Sequence, residues 1–123
     1  MLLPPRYLSE YGWDAPGGGE ACVAPECVSE HSQAVYAVRA SLMALRWGLV
    51  RASWFFYGNI ASDRKGEGVF SRSGLVSSVR SGHMPKQALH ALNGLVDTLG
   101  PRHFIGVLQE DDSTWAYVIG GFP

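Results

Sequence analysis

The chain has 123 residues, of which 46% are apolar, and this is enough for one ordinary domain with its own core. The formal net charge is −1, and the 10 Lys and Arg residues are scattered along the chain. This pattern excludes the basic surface that nucleic acids and anionic membranes require, and no apolar run approaches the length of a membrane span. Charged residues make up only 17%, below the typical value of about a quarter, which indicates that part of the surface is covered in a larger protein.

The first half of the chain predicts a strand, a loop and a helix. Residues Arg6 to Glu10 carry large side chains typical of a short strand, and residues 12 to 27 form a long loop rich in Gly and Pro. Ser29 is a good N-cap and Gly48 a natural stop, so the first helix should run to about Trp47. Apolar side chains are spread over nearly its whole circumference, which predicts a helix buried on most sides.

The second half predicts a strand, a helix and a hairpin. Residues 49 to 57 combine aromatic and β-branched side chains and give the strongest strand signal. A polar connection over residues 59 to 84 follows, and a second helix starts at Pro85 and stops at Gly100-Pro101. Residues 103 to 120 read as a β-hairpin around a polar turn. An isolated hairpin is marginal in water, so it should pack on something else.

The order of elements predicts an α/β fold. A strand, a helix and a second strand form a βαβ unit, which implies parallel strands. Two parallel strands make a poor free-standing sheet, because parallel sheets need neighbouring strands and cover on both faces. We therefore expect this chain to be part of a larger parallel sheet.

The two cysteines do not predict a metal site. Cys22 and Cys27 lie close together in the long loop, without the second ligand pair that a zinc site needs. A short disulfide is expected if the parent protein is secreted, and two free thiols are the alternative. The sequence therefore leaves the compartment open.

The candidate site residues lie at the ends of the two predicted parallel strands, where α/β folds bind ligands. A carboxylate among aromatic and amide side chains suits a sugar, because aromatic faces stack on rings and polar groups bind hydroxyls. The alternatives without a binding function are a solvated carboxylate, aromatic side chains that pack in the core, and an asparagine in a turn. The candidates are Glu10, Tyr11 and Trp13 after the first strand, and Trp54, Tyr57 and Asn59 after the second.

These segments resemble the retaining (β/α)8-barrel glycoside hydrolases of the clan A type. The run Leu8-Ser9-Glu10-Tyr11-Gly12-Trp13 is similar to the S/T-E-x-G-W segment at the end of their seventh strand. The run Trp54-Phe55-Phe56-Tyr57 resembles their eighth strand, and Met84-Pro85-Lys86-Gln87-Ala88 resembles the start of their eighth helix, with Gln87 in place of a proline. The resemblance implies a partial TIM barrel, the last two β/α units, over residues 1–101. Residues 102–123 would then begin an accessory β-domain.

The resemblance also implies a function. Glu10 would be the nucleophile of a retaining double displacement, with the five other candidates binding the carbohydrate substrate. The acid/base belongs on the fourth strand of these families, and this chain has no such strand, so we expect no glycosidase activity from it alone. No cofactor and no metal are implied.

Two alternatives to this reading remain. The chain could be a small non-catalytic α/β module that binds a partner through its apolar helix. It could also be a fragment that self-associates, because pieces of a barrel can bury their open edges on each other.

Overall fold

The first two strands lie side by side in a parallel sheet. A computed structural model, which describes residues 3–61 and 68–121, places β1 at Tyr7–Tyr11 and β2 at Arg51–Trp54. Tyr7 pairs with Arg51, and after an irregularity Tyr11 pairs with Trp54. The parallel pairing confirms the predicted βαβ unit.

The second strand is shorter than its sequence predicts. It ends at Trp54. The Phe55 amide still donates to the Tyr11 carbonyl of β1 at 2.7 Å, and the backbone beyond Phe55 bonds elsewhere. The peptide between Phe55 and Phe56 is cis. The carbonyl of Tyr57 accepts hydrogen bonds from the amides of Leu75 and Val76, at 2.8 and 3.1 Å. The aromatic run therefore continues as an ordered connection rather than as strand.

The first helix, α1, covers Glu30–Arg46 and has the predicted caps. The Ser29 hydroxyl accepts a hydrogen bond from the Ser32 amide at 2.9 Å, and Gly48 has a φ of 63°, which favours glycine. The face that meets the sheet and the second helix carries small side chains, Ala34 and Ala37 among them. These small residues let the elements approach closely, so the core is built around alanines.

The second helix, α2, covers Gln87–Leu99 and packs beside α1. It begins two residues after Pro85, and its first amide is bound from α1, because Glu30 Oε1 accepts from the Gln87 amide at 2.9 Å. Ala88 completes the alanine core with Leu92 against it. A 3₁₀ turn at Val79–Ser81 lies in the long connection before it.

The predicted hairpin is present and packs on α1. The strands β3, His103–Glu110, and β4, Trp115–Gly120, pair antiparallel. The guanidinium of Arg39 lies 5.6 Å from the centre of the Trp115 ring, and Arg46 bonds Glu110 at 3.1 Å. Cation–π and ionic contacts from one helix therefore hold the ribbon.

The described residues form a mixed α/β fold of two helices and two small sheets, which agrees with the predicted class. They do not close a barrel. No helix within residues 3–61 and 68–121 is both long and apolar enough to cross a membrane.

Candidate functional site

Glu10 lies at the carboxyl end of β1, beside an open cleft of about 300 Å³. Its side chain is exposed. Gly12 lets the two strand ends close on each other, because a Cβ there would lie 2.4 Å from the carbonyl oxygen of Phe55. This close contact explains the glycine of the predicted motif. The cleft is lined by Glu10, Tyr11, Gly12, Phe55, Phe70 and Ser73.

Tyr11, Trp13 and Trp54 come together, as the sequence predicts, but they form a packing cluster. The Trp54 ring lies 5.3 Å from Tyr11 and 5.9 Å from Trp13. Trp13 in turn lies 5.2 Å from Tyr36 of α1. The indole nitrogen of Trp54 donates to the Ser73 carbonyl at 2.8 Å. The two tryptophans therefore support the cleft from the helix side, and Tyr11 alone of the three lines it.

Tyr57 and Asn59 lie apart from the described lining of the cleft. Tyr57 is 66% exposed. Asn59 is buried, and both polar atoms of its side chain are hydrogen-bonded. Nδ2 donates to Glu20 at 2.8 Å, and Oδ1 accepts from the Gly74 amide at 3.0 Å. In this structure Asn59 joins two loops, and the chain after β2 contributes Phe55 to the cleft instead. The substrate-binding roles of Tyr57 and Asn59 stay predictions.

Glu20 joins the loops behind the site, a role that no sequence pattern indicates. Besides Asn59, its carboxylate accepts hydrogen bonds from the Ser78 amide at 3.0 Å, the Ser81 hydroxyl at 2.8 Å and the Ser78 hydroxyl. Burial raises the pKa of Glu20, but the hydrogen bonds from Ser78, Asn59 and Ser81 outweigh it and lower the pKa to about 2. Glu20 is therefore held as a carboxylate.

The glycine run before Glu20 is a defined turn rather than a flexible linker. Gly17 and Glu20 exchange backbone hydrogen bonds of 3.0 and 3.1 Å. Gly17, Gly18 and Gly19 all have positive φ values, of 128°, 61° and 83°. Side chains at these positions would strain the backbone, so the glycines shape the turn that presents Glu20.

Lys86 ties the same loops together from inside. Its side chain is fully buried, and Nζ donates to the carbonyls of Ala15 at 2.9 Å and Arg72 at 2.8 Å. Burial lowers the pKa of Lys86 to about 8, although the charges of Glu30, Asp14 and Glu20 act against this. From the sequence it is only a residue at the start of a helix, because nothing local indicates its burial.

A buried carboxylate lies directly behind the cleft. Asp14 is 2% exposed, and its Oδ1 accepts a hydrogen bond from the hydroxyl of Ser73. Its other oxygen, Oδ2, has no hydrogen-bond partner among the described residues. Sequence reasoning missed both residues, because they are 59 positions apart and only the fold joins them.

Cys22 and Cys27 form a disulfide, which selects between the two alternatives left open by the sequence. Within residues 3–61 and 68–121 there is no cluster of three or more His, Cys, Asp or Glu side chains that could hold a metal ion. No protein-family model, curated protein or solved structure matches the chain.

Proposed function

We propose that residues 1–101 are the last two β/α units of a (β/α)8-barrel glycoside hydrolase of the retaining type, with Glu10 as its nucleophile. The observation that carries the proposal is the place of Glu10. It is an exposed carboxylate at the carboxyl end of a parallel strand, in a cleft with aromatic side chains. Active sites of barrel enzymes occur at this end of the strands.

The incomplete sheet supports the barrel part of the proposal. β1 and β2 pair only with each other among the described strands, so both outer edges of the parallel sheet are open. Helix α1 packs against β2, and Trp54 of that strand contacts the alanine core. Parallel strands need cover on both faces and neighbours at their edges, which six further β/α units would supply.

The exposed carboxylate of Glu10 can act as the nucleophile of the proposed reaction. A carboxylate oxygen of Glu10 bonds to the anomeric carbon while the bond from that carbon to the leaving oxygen breaks. A second carboxylic acid, about 5 Å away, normally protonates the leaving oxygen and later activates water. The described lining of the cleft holds no second carboxylate beside Glu10. The resemblance places the acid/base on the fourth strand of the parent barrel.

A substrate that needs no acid assistance tests the nucleophile separately. In 2,4-dinitrophenyl 2-deoxy-2-fluoroglycosides the phenolate leaves unprotonated, and the fluorine slows hydrolysis of the ester that forms. The chain is incubated with the gluco, galacto, manno and xylo compounds, and its intact mass is measured. We expect one of them to add a single fluoroglycosyl group and to release one equivalent of dinitrophenolate.

The matched control is a second carboxylate at a strand end. Glu10→Gln should abolish the mass increase, while Glu110→Gln, at the end of β3, should retain it. Glu110 pairs with Arg46 and bonds the Tyr117 hydroxyl at the surface, so its loss should change stability by no more than about 1 kcal/mol. A mass increase of equal size in Glu10→Gln would refute the proposal, as would no labelling by any of the four compounds.

The alternative of a partner-binding module has less support. Under that hypothesis the apolar helix α1 would bind another protein through its apolar surface. In the structure α1 is packed against β2, α2 and β3, and only His31 and Arg39 within it are largely exposed. Much of the apolar circumference is thus covered inside the chain.

A further inference from the structure

We propose that Ser73 accepts a hydrogen bond from a hydroxyl group of the ligand in the Glu10 cleft, and that the buried Asp14 fixes Ser73 in that role by holding its hydroxyl hydrogen. This inference rests on the proposed function, because it takes the ligand to be a sugar. It makes Ser73 a specificity-determining residue and Asp14 a positioning residue.

Ser73 is held rigidly in the wall of the cleft. Ser73 is only 2% exposed, and that small surface lies in the lining of the cleft with Glu10. Its carbonyl accepts the indole hydrogen of Trp54 at 2.8 Å. The carbonyl of the preceding residue, Arg72, accepts from the Ala15 amide at 3.2 Å and from Lys86 Nζ at 2.8 Å. These bonds fix the backbone on both sides of the Ser73 side chain.

The chemistry of the pair sets the direction of its hydrogen bond. The Ser73 hydroxyl is the donor and the Asp14 carboxyl oxygen Oδ1 is the acceptor. The Ser73 hydroxyl has one hydrogen, and Asp14 uses it. Its oxygen lone pairs then remain for a donor from the cleft.

A cleft built this way selects among ligand groups. Glu10 and Ser73 both present acceptors, so a ligand that bridges them must carry hydroxyl donors. An ether or carbonyl oxygen at the Ser73 position would meet another acceptor and lose binding. A buried polar group that finds no partner lowers affinity, which is how such a site discriminates.

Fluorine scanning of a sugar measures this selectivity. Binding of methyl gluco-, galacto-, manno- and xylopyranosides to the isotopically labelled chain is followed by NMR at the amides of Gly12 and Phe55. The glycoside that binds is then compared with its monodeoxyfluoro analogues, because fluorine cannot donate a hydrogen bond. At one ring position the wild-type chain should bind the fluoro analogue about 3- to 10-fold more weakly, the equivalent of one neutral hydrogen bond.

Two serine variants decide whether Ser73 makes that contact. In Ser73→Ala the discrimination between hydroxyl and fluorine should fall below about twofold, because its acceptor is gone. Ser41→Ala is the control, since that hydroxyl bonds the Ala37 carbonyl within α1 and should leave the discrimination unchanged. Glycoside binding with undiminished discrimination in Ser73→Ala overturns the inference and leaves the role of Glu10 standing. Failure of all four glycosides to bind overturns the inference, whereas covalent labelling of Glu10 tests the proposed function separately.

A measurement on the wild-type chain keeps the inference falsifiable if Ser73→Ala does not fold. A hydroxyl hydrogen held by a buried carboxylate exchanges slowly with water. It should give a resonance coupled to the Ser73 β-protons, and the Asp14 carboxyl carbon should show an isotope shift between H₂O and D₂O. A rapidly exchanging Ser73 hydroxyl with no shift at Asp14 would overturn the assignment.

Discussion

Glu20→Gln tests whether one carboxylate holds the loops behind the cleft. The substitution keeps the size of the side chain and an oxygen that can accept from Ser78 and Ser81. Its amide group, however, has to face Asn59 Nδ2, so a donor meets a donor. The Asn59 amide cannot flip to exchange its oxygen and nitrogen, because Oδ1 already accepts from the Gly74 amide at 3.0 Å. The variant therefore loses the hydrogen bond from Asn59 and places two donors against each other.

The size of the effect follows from these contacts. Hydrogen bonds to charged groups contribute about 1.5–3 kcal/mol each, and an unsatisfied buried donor costs about 1–3 kcal/mol. Because Gln retains the oxygen that serves Ser78 and Ser81, we expect one such loss, about 2 kcal/mol of unfolding free energy. Urea denaturation followed by tryptophan fluorescence measures it, with the slope expected to stay unchanged.

The pH dependence provides an independent check of the same contacts. The pKa of Glu20 falls from 4.5 to about 2 on folding, so its stabilisation is complete above pH 4.5 and is lost as the pH falls toward 2. The full shift would correspond to about 3 kcal/mol, and solvent screening of the partly exposed carboxylate reduces this to roughly 1–2 kcal/mol. The stability difference between wild type and Glu20→Gln should therefore narrow in acid.

The control is Asp97→Asn, which makes the same charge change on the exposed side of α2. It should alter stability by no more than about 0.5 kcal/mol. If Glu20→Gln behaves like Asp97→Asn, or if its deficit does not shrink between neutral pH and about pH 3, the hydrogen-bonded carboxylate does not hold these loops.

Three further predictions concern the covalent link, the buried lysine and turnover. Replacing Cys22 and Cys27 together by Ser should lower unfolding stability by about 2 kcal/mol, since the disulfide closes a loop of sequence separation 5, and reductant should then have no further effect on the urea midpoint. The lowered pKa of Lys86 predicts that wild-type stability rises relative to Lys86→Met as the pH increases from about 8 to 10.5, and parallel pH profiles of the two proteins in urea denaturation would contradict this. The chain alone should not turn over ordinary aryl glycosides, and a chromogenic rate that disappears in Glu10→Gln would show that prediction to be wrong.

The helices and the hairpin could be predicted from the sequence because their signals are local. Ser29 caps the start of α1, and the positive φ of Gly48 follows its end. Each signal lies within a few residues of the helix end that it sets. The end of β2 is not local. It depends on where the partner strand β1 ends and on Tyr57 bonding the segment at Leu75 and Val76.

The candidate site shows the same difference between local and non-local signals. Glu10 could be proposed from the sequence because it sits at the end of a short strand in a recognisable run of residues. Glu20, by contrast, binds Ser78 and Ser81 across 58 and 61 positions, and Lys86 reaches Ala15 across 71. A sequence pattern does not indicate such pairs. They arise because the two strand ends bring their following loops together.

The position of the covalent label identifies the nucleophile. The chain labelled by the reactive 2-deoxy-2-fluoroglycoside is digested, and tandem mass spectrometry locates the sugar on a single residue. We predict an ester on Glu10, since this is the exposed carboxylate at the carboxyl end of β1. A label on Glu20, on Asp14 or on Tyr11, with Glu10 unmodified, would contradict it.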